Sequence, residues 1–320
     1  MKIAFHSNQL GIRGTEVALY DYAKYNIEIL NNESIILYPA QSKYNDFSIE
    51  TKFSKEFKIY GYNNQNDINR ICDLENLDAV YYMKSGNNDG KDSNRKNLIH
   101  AVFQSYDPHG DRYAYISEWL SNHISNIINK PTTYVPYMVQ LPKPNDCYRK
   151  KLNIQKNALV IGRYGGFDQF DISFVQEAVI KYVSKNTNCY FIFVNTNKFI
   201  DHPRILFLPK ISDLQEKSNF INTCDAMIHG RSDGESFGLA ICEFLYGNKP
   251  VLAWNGGTDG NHRVILDGTN LLYNNSEDLL NKFDLLSQGY YSNKEYNKLV
   301  SDFTPEIVMK KFKNVFLENL

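Results

Sequence analysis

Twice in this chain a short apolar run leads through a glycine-containing loop into helix-forming residues, the opening unit of a doubly wound parallel sheet. The first unit is Lys2 to Ser7, the loop Asn8 to Gly14, and the stretch TEVALYDYA from Thr15. Thr15 is the expected N-cap and Glu16 an acidic residue in the first turn. The second is Ala158 to Arg163, the loop Tyr164-Gly165-Gly166, and a helical segment over 172–183. Further apolar runs at 34–38, 57–60, 79–83, 99–103 and 114–117 read as strands, as do 190–194, 205–208, 226–229 and 250–254. Helical patterns fall around 67–74 and after Ser117, which is placed to cap the helix through Trp119 and Ile124. Another covers 238–246 and stops at Gly247. Between the halves, YVPYMVQLPKP at 134–144 has three prolines and no helical period, the mark of an extended connector. The expectation is two Rossmann-like α/β domains facing across a cleft, 1–140 and 141–303.

Composition removes several function classes. The 320 residues carry 35 Lys plus Arg against 36 Asp plus Glu, a net charge of -1, which argues against a nucleic-acid binder. No apolar run approaches the ~20 residues of a membrane span. The N-terminus enters strand-like residues directly, with no secretory signal in view. Cys72, Cys147, Cys189, Cys224 and Cys242 form no CxxC pair and read as reduced thiols of a cytoplasmic protein, with no zinc site. P-loop, Gly-x-Ser-x-Gly and GxGxxG patterns are absent, so phosphoryl transfer, a hydrolase elbow and a dinucleotide cofactor are unsupported.

The segment richest in chemistry runs from His229 to Glu243, HGRSDGESFGLAICE. It follows an apolar strand and opens a helix, so its amides lie at a helix N-terminus, where unpaired N–H groups and the helix dipole favour an anion such as a diphosphate. Glu235 precedes that helix and Glu243 lies on it. A carboxylate accepts two hydrogen bonds side by side, which suits vicinal hydroxyls of a ribose or hexose. His229 and Arg231 stand just upstream, within reach of sugar or phosphate.

Glu235 and Glu243, with ESFGL between them and Gly247 and Pro250-Val251 after them, resemble the E-x7-E motif of retaining glycosyltransferases of GT-B fold, family four. The resemblance implies that Glu235 contacts the transferred sugar, the loop Ser236, Phe237, Gly238, Leu239 contacts diphosphate and sugar, and Glu243 holds the ribose. It also implies an Arg at the start of the second domain for the donor diphosphate, which falls on Arg163; a two-pronged guanidinium suits phosphate oxygens. A Lys expected five residues later is Asp168 here. Gly165 and Gly166 as an anion nest, or Arg231, are the expected substitutes, with Lys210 and Lys84 weaker ones. Gly11 to Glu16 resembles the family's glycine-rich loop, in which Gly14 admits close backbone approach. A family histidine near the reacting centre falls on His109, with His100 competing and His6 a further candidate. The loop after Phe207-Leu208, with Lys210, resembles the nucleobase contact.

The resemblance thus implies an N-terminal acceptor-side domain joined by a C-terminal helix at about 304–320, and a C-terminal donor domain. No two aspartates are separated by one residue, so the metal-diphosphate DxD motif is missing and no metal is expected. The expected activity is retaining transfer of a sugar from a nucleoside-diphosphate sugar, UDP favoured and GDP possible, to a glycan or other hydroxyl acceptor. A sugar-nucleotide epimerase and a non-catalytic nucleotide-sugar-binding subunit are the alternatives.

Overall fold

The computed structural model describes residues 1–11, 13–90 and 92–320, which form two compact units, Met1–Met138 with Phe303–Leu320, and Val139–Asp302. Ile12, within the expected glycine-rich loop, lies outside the described residues.

The first unit runs β1 (Lys2–Ser7), α1 (Gly14–Glu28), β2 (Glu33–Pro39), α2 (Phe47–Glu56), β3 (Lys58–Tyr62), α3 (Gln65–Leu74), β4 (Ala79–Lys84), β5 (Lys96–Ala101), β6 (Arg112–Tyr115) and α4 (Glu118–Ile128). Its strands pair in parallel in the order β3-β2-β1-β4-β5-β6. All of β4 and nearly all of β2 are buried, as a sheet covered on both faces requires. Ser117 caps α4, accepting from the Leu120 amide at 3.2 Å. Thr15 does not cap α1. The N-cap is Arg13, and the Thr15 hydroxyl donates instead to its neighbour Glu16, 2.9 Å away. Phe103, expected to close a strand, lies beyond β5 and is exposed, because the chain leaves the sheet at Ala101.

The second unit runs β7 (Leu159–Tyr164), α5 (Ser173–Lys185), β8 (Cys189–Val194), β9 (Ile205–Leu208), α6 (Leu214–Thr223), β10 (Ala226–Ile228), β11 (Gly234–Glu235), α7 (Leu239–Tyr246), β12 (Val251–Trp254), β13 (Asp259–Gly260), α8 (Asn261–Ile265), β14 (Leu272–Tyr273) and α9 (Ser276–Ser287). A 3-10 segment at Tyr296–Phe303 leads to α10 (Pro305–Phe312) and a short π-helical turn. Phe312 packs on Phe5, Tyr22 and Tyr81 at ring separations of 6.4, 5.3 and 5.3 Å, so the C-terminal helix belongs to the first unit's core. The second sheet has the order β14-β12-β10-β7-β8-β9. Both sheets reverse direction of growth beside their first strand, at β1/β4 and β7/β10. In open α/β sheets such a switch point opens a crevice at the carboxyl ends of the strands.

Close packing under β7 holds that crevice in place. A Cβ on Gly162 would fall 2.4 Å from the Cys224 sulfur and 3.1 Å from the Phe220 ring. Gly162→Ala is therefore expected to lower stability by about 1–3 kcal/mol in urea denaturation, with part of the loss recovered by adding Cys224→Ala. An unchanged midpoint in Gly162→Ala would contradict this packing. Among the described residues no helix is long and apolar enough to cross a membrane.

Candidate functional site

Within the second unit, many of the residues expected to carry chemistry collect at the carboxyl ends of β7 and β10. Arg163 is next to last in β7 and almost wholly buried. A buried guanidinium must have its donors satisfied, and here loop atoms do so. One terminal nitrogen donates to the Thr196 hydroxyl at 2.5 Å and the Asn195 carbonyl at 3.3 Å, the other to the Gly166 carbonyl at 2.9 Å. Burial pulls its pKa down to about 10, against the opposing pull of Glu235. The Asn195 amide group also donates to the Gly165 carbonyl at 2.9 Å. Arg163 thus ties the loop after β7 to the loop after β8, and a side chain at 165 would fall 2.9 Å from its guanidinium.

Asp168, where the resemblance places a lysine, accepts a hydrogen bond from the Asn197 side chain. It fastens the same two loops and brings no cation. Arg231, one of the expected substitutes, is engaged by carboxylates, lying 3.2 Å from Glu235 Oε2 and 3.6 Å from Asp233. Asp171, not anticipated from the sequence, joins this loop to the one after β10. It accepts from the Ser232 amide at 2.8 Å and hydroxyl at 2.5 Å, while its own amide donates to the Gly230 carbonyl at 3.1 Å.

Glu235 is held from two sides. His229 Nε2 lies 3.2 Å from Oε1 and Arg231 Nη1 3.2 Å from Oε2, and the side chain keeps 21% exposure. Burial pushes its carboxyl pKa up, but the His229 hydrogen bond and the charges of His229, Arg231 and His262 outweigh it, so the net shift is downward. Glu235 is ionised throughout the neutral range. Its backbone is set by the two-residue pairing Gly234↔Asp259 and Glu235↔Gly260. A Cβ on Gly234, at φ +75, would strike the Asp259 carbonyl oxygen at 2.0 Å, so that contact requires glycine.

α7 begins directly after. Its N-cap is Gly238, at φ 91 with no side-chain cap, and the first amides of a helix have no partner within it, which makes its N-terminus a place for an anion. Ser236 and Leu239 are partly exposed, Phe237 buried. Glu243, just past the first turn of the same helix, is buried and paired with Lys217 of α6 at 2.6 Å.

His262, also missed from sequence, supports the Glu235 loop. It is fully buried, its ring centroid 5.3 Å from that of His229, and its Nε2 donates to the Trp254 carbonyl at 2.8 Å. The available signal was Gly257 after β12, a glycine that lets this layer approach the backbone of Asp233 and Gly234. Lys210 lies two residues past β9, exposed and outside the cluster just described. His109 and Gly14 belong to the first unit. His109 sits in the loop after β5, its Nδ1 donating to the Asp107 carbonyl at 2.9 Å, and Gly14 is the first residue of α1. His100 and His6 are fully buried in that unit; His100 bonds the carbonyls of Tyr115 and Val135, and His6 the Tyr62 hydroxyl. Among the described residues no group of three or more His, Cys, Asp or Glu side chains is arranged to hold a metal ion.

Burial, with a smaller push from the His229 charge, lowers the His262 pKa to about 4. The unfolded chain takes up a proton at this position as pH falls through 6.5, whereas the native state does not until about pH 4. Stability contributed here is therefore complete above pH 6.5 and declines below it. Between pH 7 and 5 the loss is expected to be about 2 kcal/mol. Urea denaturation of the wild type and His262→Gln at both pH values measures it, the variant showing the smaller loss.

No protein-family model matches the chain, and no curated protein matches it in sequence. Solved structures do match in fold. The Anabaena protein HepE, in complex with UDP and glucose, superposes with a TM-score of 0.76 at 15% identity, covering 100% of both chains. A glycosyltransferase from Rickettsia africae gives 0.72 at 15%, covering 100% of this chain and 99% of that one. The sucrose-phosphate synthase of Thermosynechococcus elongatus gives 0.72 at 12%, covering 98% of each. The fold is GT-B, with two parallel-sheet α/β domains.

Proposed function

We propose that this protein is a retaining glycosyltransferase similar to family four, which moves a sugar from a nucleoside-diphosphate sugar to an acceptor hydroxyl without a metal ion. The observation that carries the reading is one continuous piece of chain. Strand β10 leads to a carboxylate held by His229 and Arg231, then to an uncapped helix N-terminus, then to a buried second carboxylate on that helix. That the Rickettsia africae neighbour is a glycosyltransferase and the Anabaena neighbour is bound to UDP and glucose supports the nucleotide-sugar assignment.

In this reading the diphosphate lies at the N-terminus of α7, where the amides from Leu239 onward and the helix dipole receive the charge that builds as the C–O bond breaks. Arg163, near enough to feel the charge of Glu235, adds positive potential and holds the Gly165-Gly166 loop in shape. Glu235, ionised and fixed by two partners, orients the sugar and stabilises the positive charge on its ring. Permanent ionisation suits it to this role and not to that of a general acid. Glu243 accepts the ribose hydroxyls. UDP is the favoured nucleotide. The acceptor hydroxyl attacks from the face the diphosphate leaves and passes its proton to a departing phosphate oxygen, so the chain need not supply a nucleophile. The protein acts in the cytoplasm.

Thermal shift with UDP, GDP and their sugars identifies the donor, since a ligand that binds the native state raises its apparent stability. With that donor, Glu235→Ala is expected to lower kcat about 10²–10³-fold while nucleotide affinity changes little. Undiminished transfer in Glu235→Ala overturns the assignment. An epimer formed from donor alone would make the protein an epimerase, and tight binding without turnover across an acceptor panel would make it a binding subunit.

A further inference from the structure

A lysine is almost never fully buried without a partner, and Lys217 is buried at the end of the first turn of α6. Its Nζ lies 2.6 Å from Glu243 Oε1, and the two side chains keep only 4% and 5% exposure. The same ammonium stands 5.0 Å from the ring centroid of Tyr164, the residue that ends β7 directly after Arg163. The pair therefore sits beside the strand end on which the candidate site is built.

Adhesion between α6 and α7 does not explain it. Phe220 of α6 and Phe244 of α7 already meet edge to face at 6.0 Å, and Ile221 packs where Gly247 ends α7. A buried ion pair is at best a neutral substitute for such apolar packing, because both charges lose their hydration. What it does supply is orientation. A glutamate has three rotatable bonds, and an ammonium held on Oε1 restricts the rotation of the carboxylate and so the directions open to Oε2.

We propose that Lys217 is a positioning residue: it holds Glu243 so that the carboxylate meets the two ribose hydroxyls of the bound nucleoside diphosphate. This deepens the proposed function and rests on it. Lys217 does not touch the ligand. It acts through Glu243, and its effect is confined to the part of the ligand that Glu243 contacts. Hydrogen bonds to a charged group are strong, so recognition of the ribose diol through a fixed carboxylate separates a ribonucleotide from its dideoxy analogue by about tenfold or more.

The test is the affinity ratio between UDP and 2′,3′-dideoxy-UDP, measured by calorimetry on the full chain. The wild type is expected to prefer UDP by about tenfold or more. Lys217→Met is expected to bring the ratio close to one, mainly by weakening UDP, while Lys217→Arg preserves it. A lysine serving only to stabilise the fold would instead change both affinities together and leave the ratio intact. Thermal melting checks that each variant is folded. Should Lys217→Met not fold, Lys217→Leu, which likewise has no donor and a smaller volume, takes its place under the same criterion. A wild-type ratio that survives Lys217→Met or Lys217→Leu overturns the positioning role alone. A wild type that binds UDP with no preference for the ribose overturns the role of the pair and leaves nucleotide binding standing. A wild type that binds neither UDP nor GDP overturns the proposed function and this inference with it.

Discussion

The candidate site depends first on one buried guanidinium. Arg163 is taken out of water at the end of β7, and a group that cannot shed its charge must find acceptors there. It finds them in the chain itself, in the carbonyls of Gly166 and Asn195 and the hydroxyl of Thr196. Two loops that leave different strands are thereby set relative to one another before any ligand is considered. Gly165 follows from the same contact, since a side chain there would meet the guanidinium. Asp168, facing Asn197, adds a second tie between the loops.

On this base the charges are arranged in matched sets. Glu235 stands between His229 and Arg231, and Glu243 is paired with Lys217. Each carboxylate is thus oriented by partners of its own, and the N-terminus of α7 lies between them in the chain. The consequence for the proposed chemistry is a division of labour. Positive potential for a leaving diphosphate comes from helix amides and the buried Arg163, while the remaining cations steer carboxylates toward hydroxyls. A net charge of -1 for the whole chain conceals this, because the pairs cancel in the sum.

Much of the fold was legible because its signals are local. Alternating short apolar runs and helix formers identified parallel α/β units, and β1, β7, β10 and α7 fall where those patterns lie. Ser117 was recognisable as a cap because an N-cap serine acts within three residues of itself. Thr15 was misread for a similar reason: the hydroxyl had a competing acceptor in the adjacent Glu16. Phe103 was misread as strand because β propensity cannot tell where pairing with β4 ends.

Within the site, the run from His229 to Glu243 was readable because it is continuous in sequence. Lys217, Asp171 and His262 were not, although they bear on the same groups. Lys217 is 26 residues from Glu243 and Asp171 61 residues from Ser232, and neither carries a motif. The partnering of Arg163 with Asn195, Thr196 and Gly166 was equally invisible, and it shows a guanidinium already committed to its own loops. By itself, then, the sequence determined the class of the sheets, the strand-loop-helix that ends in α7, and the two carboxylates on it, since these depend on neighbours a few residues apart. Tertiary structure alone decided which cation faces which carboxylate and which loops a buried charge draws together. Those choices depend on desolvation and on through-space distance, and neither is encoded in local spacing.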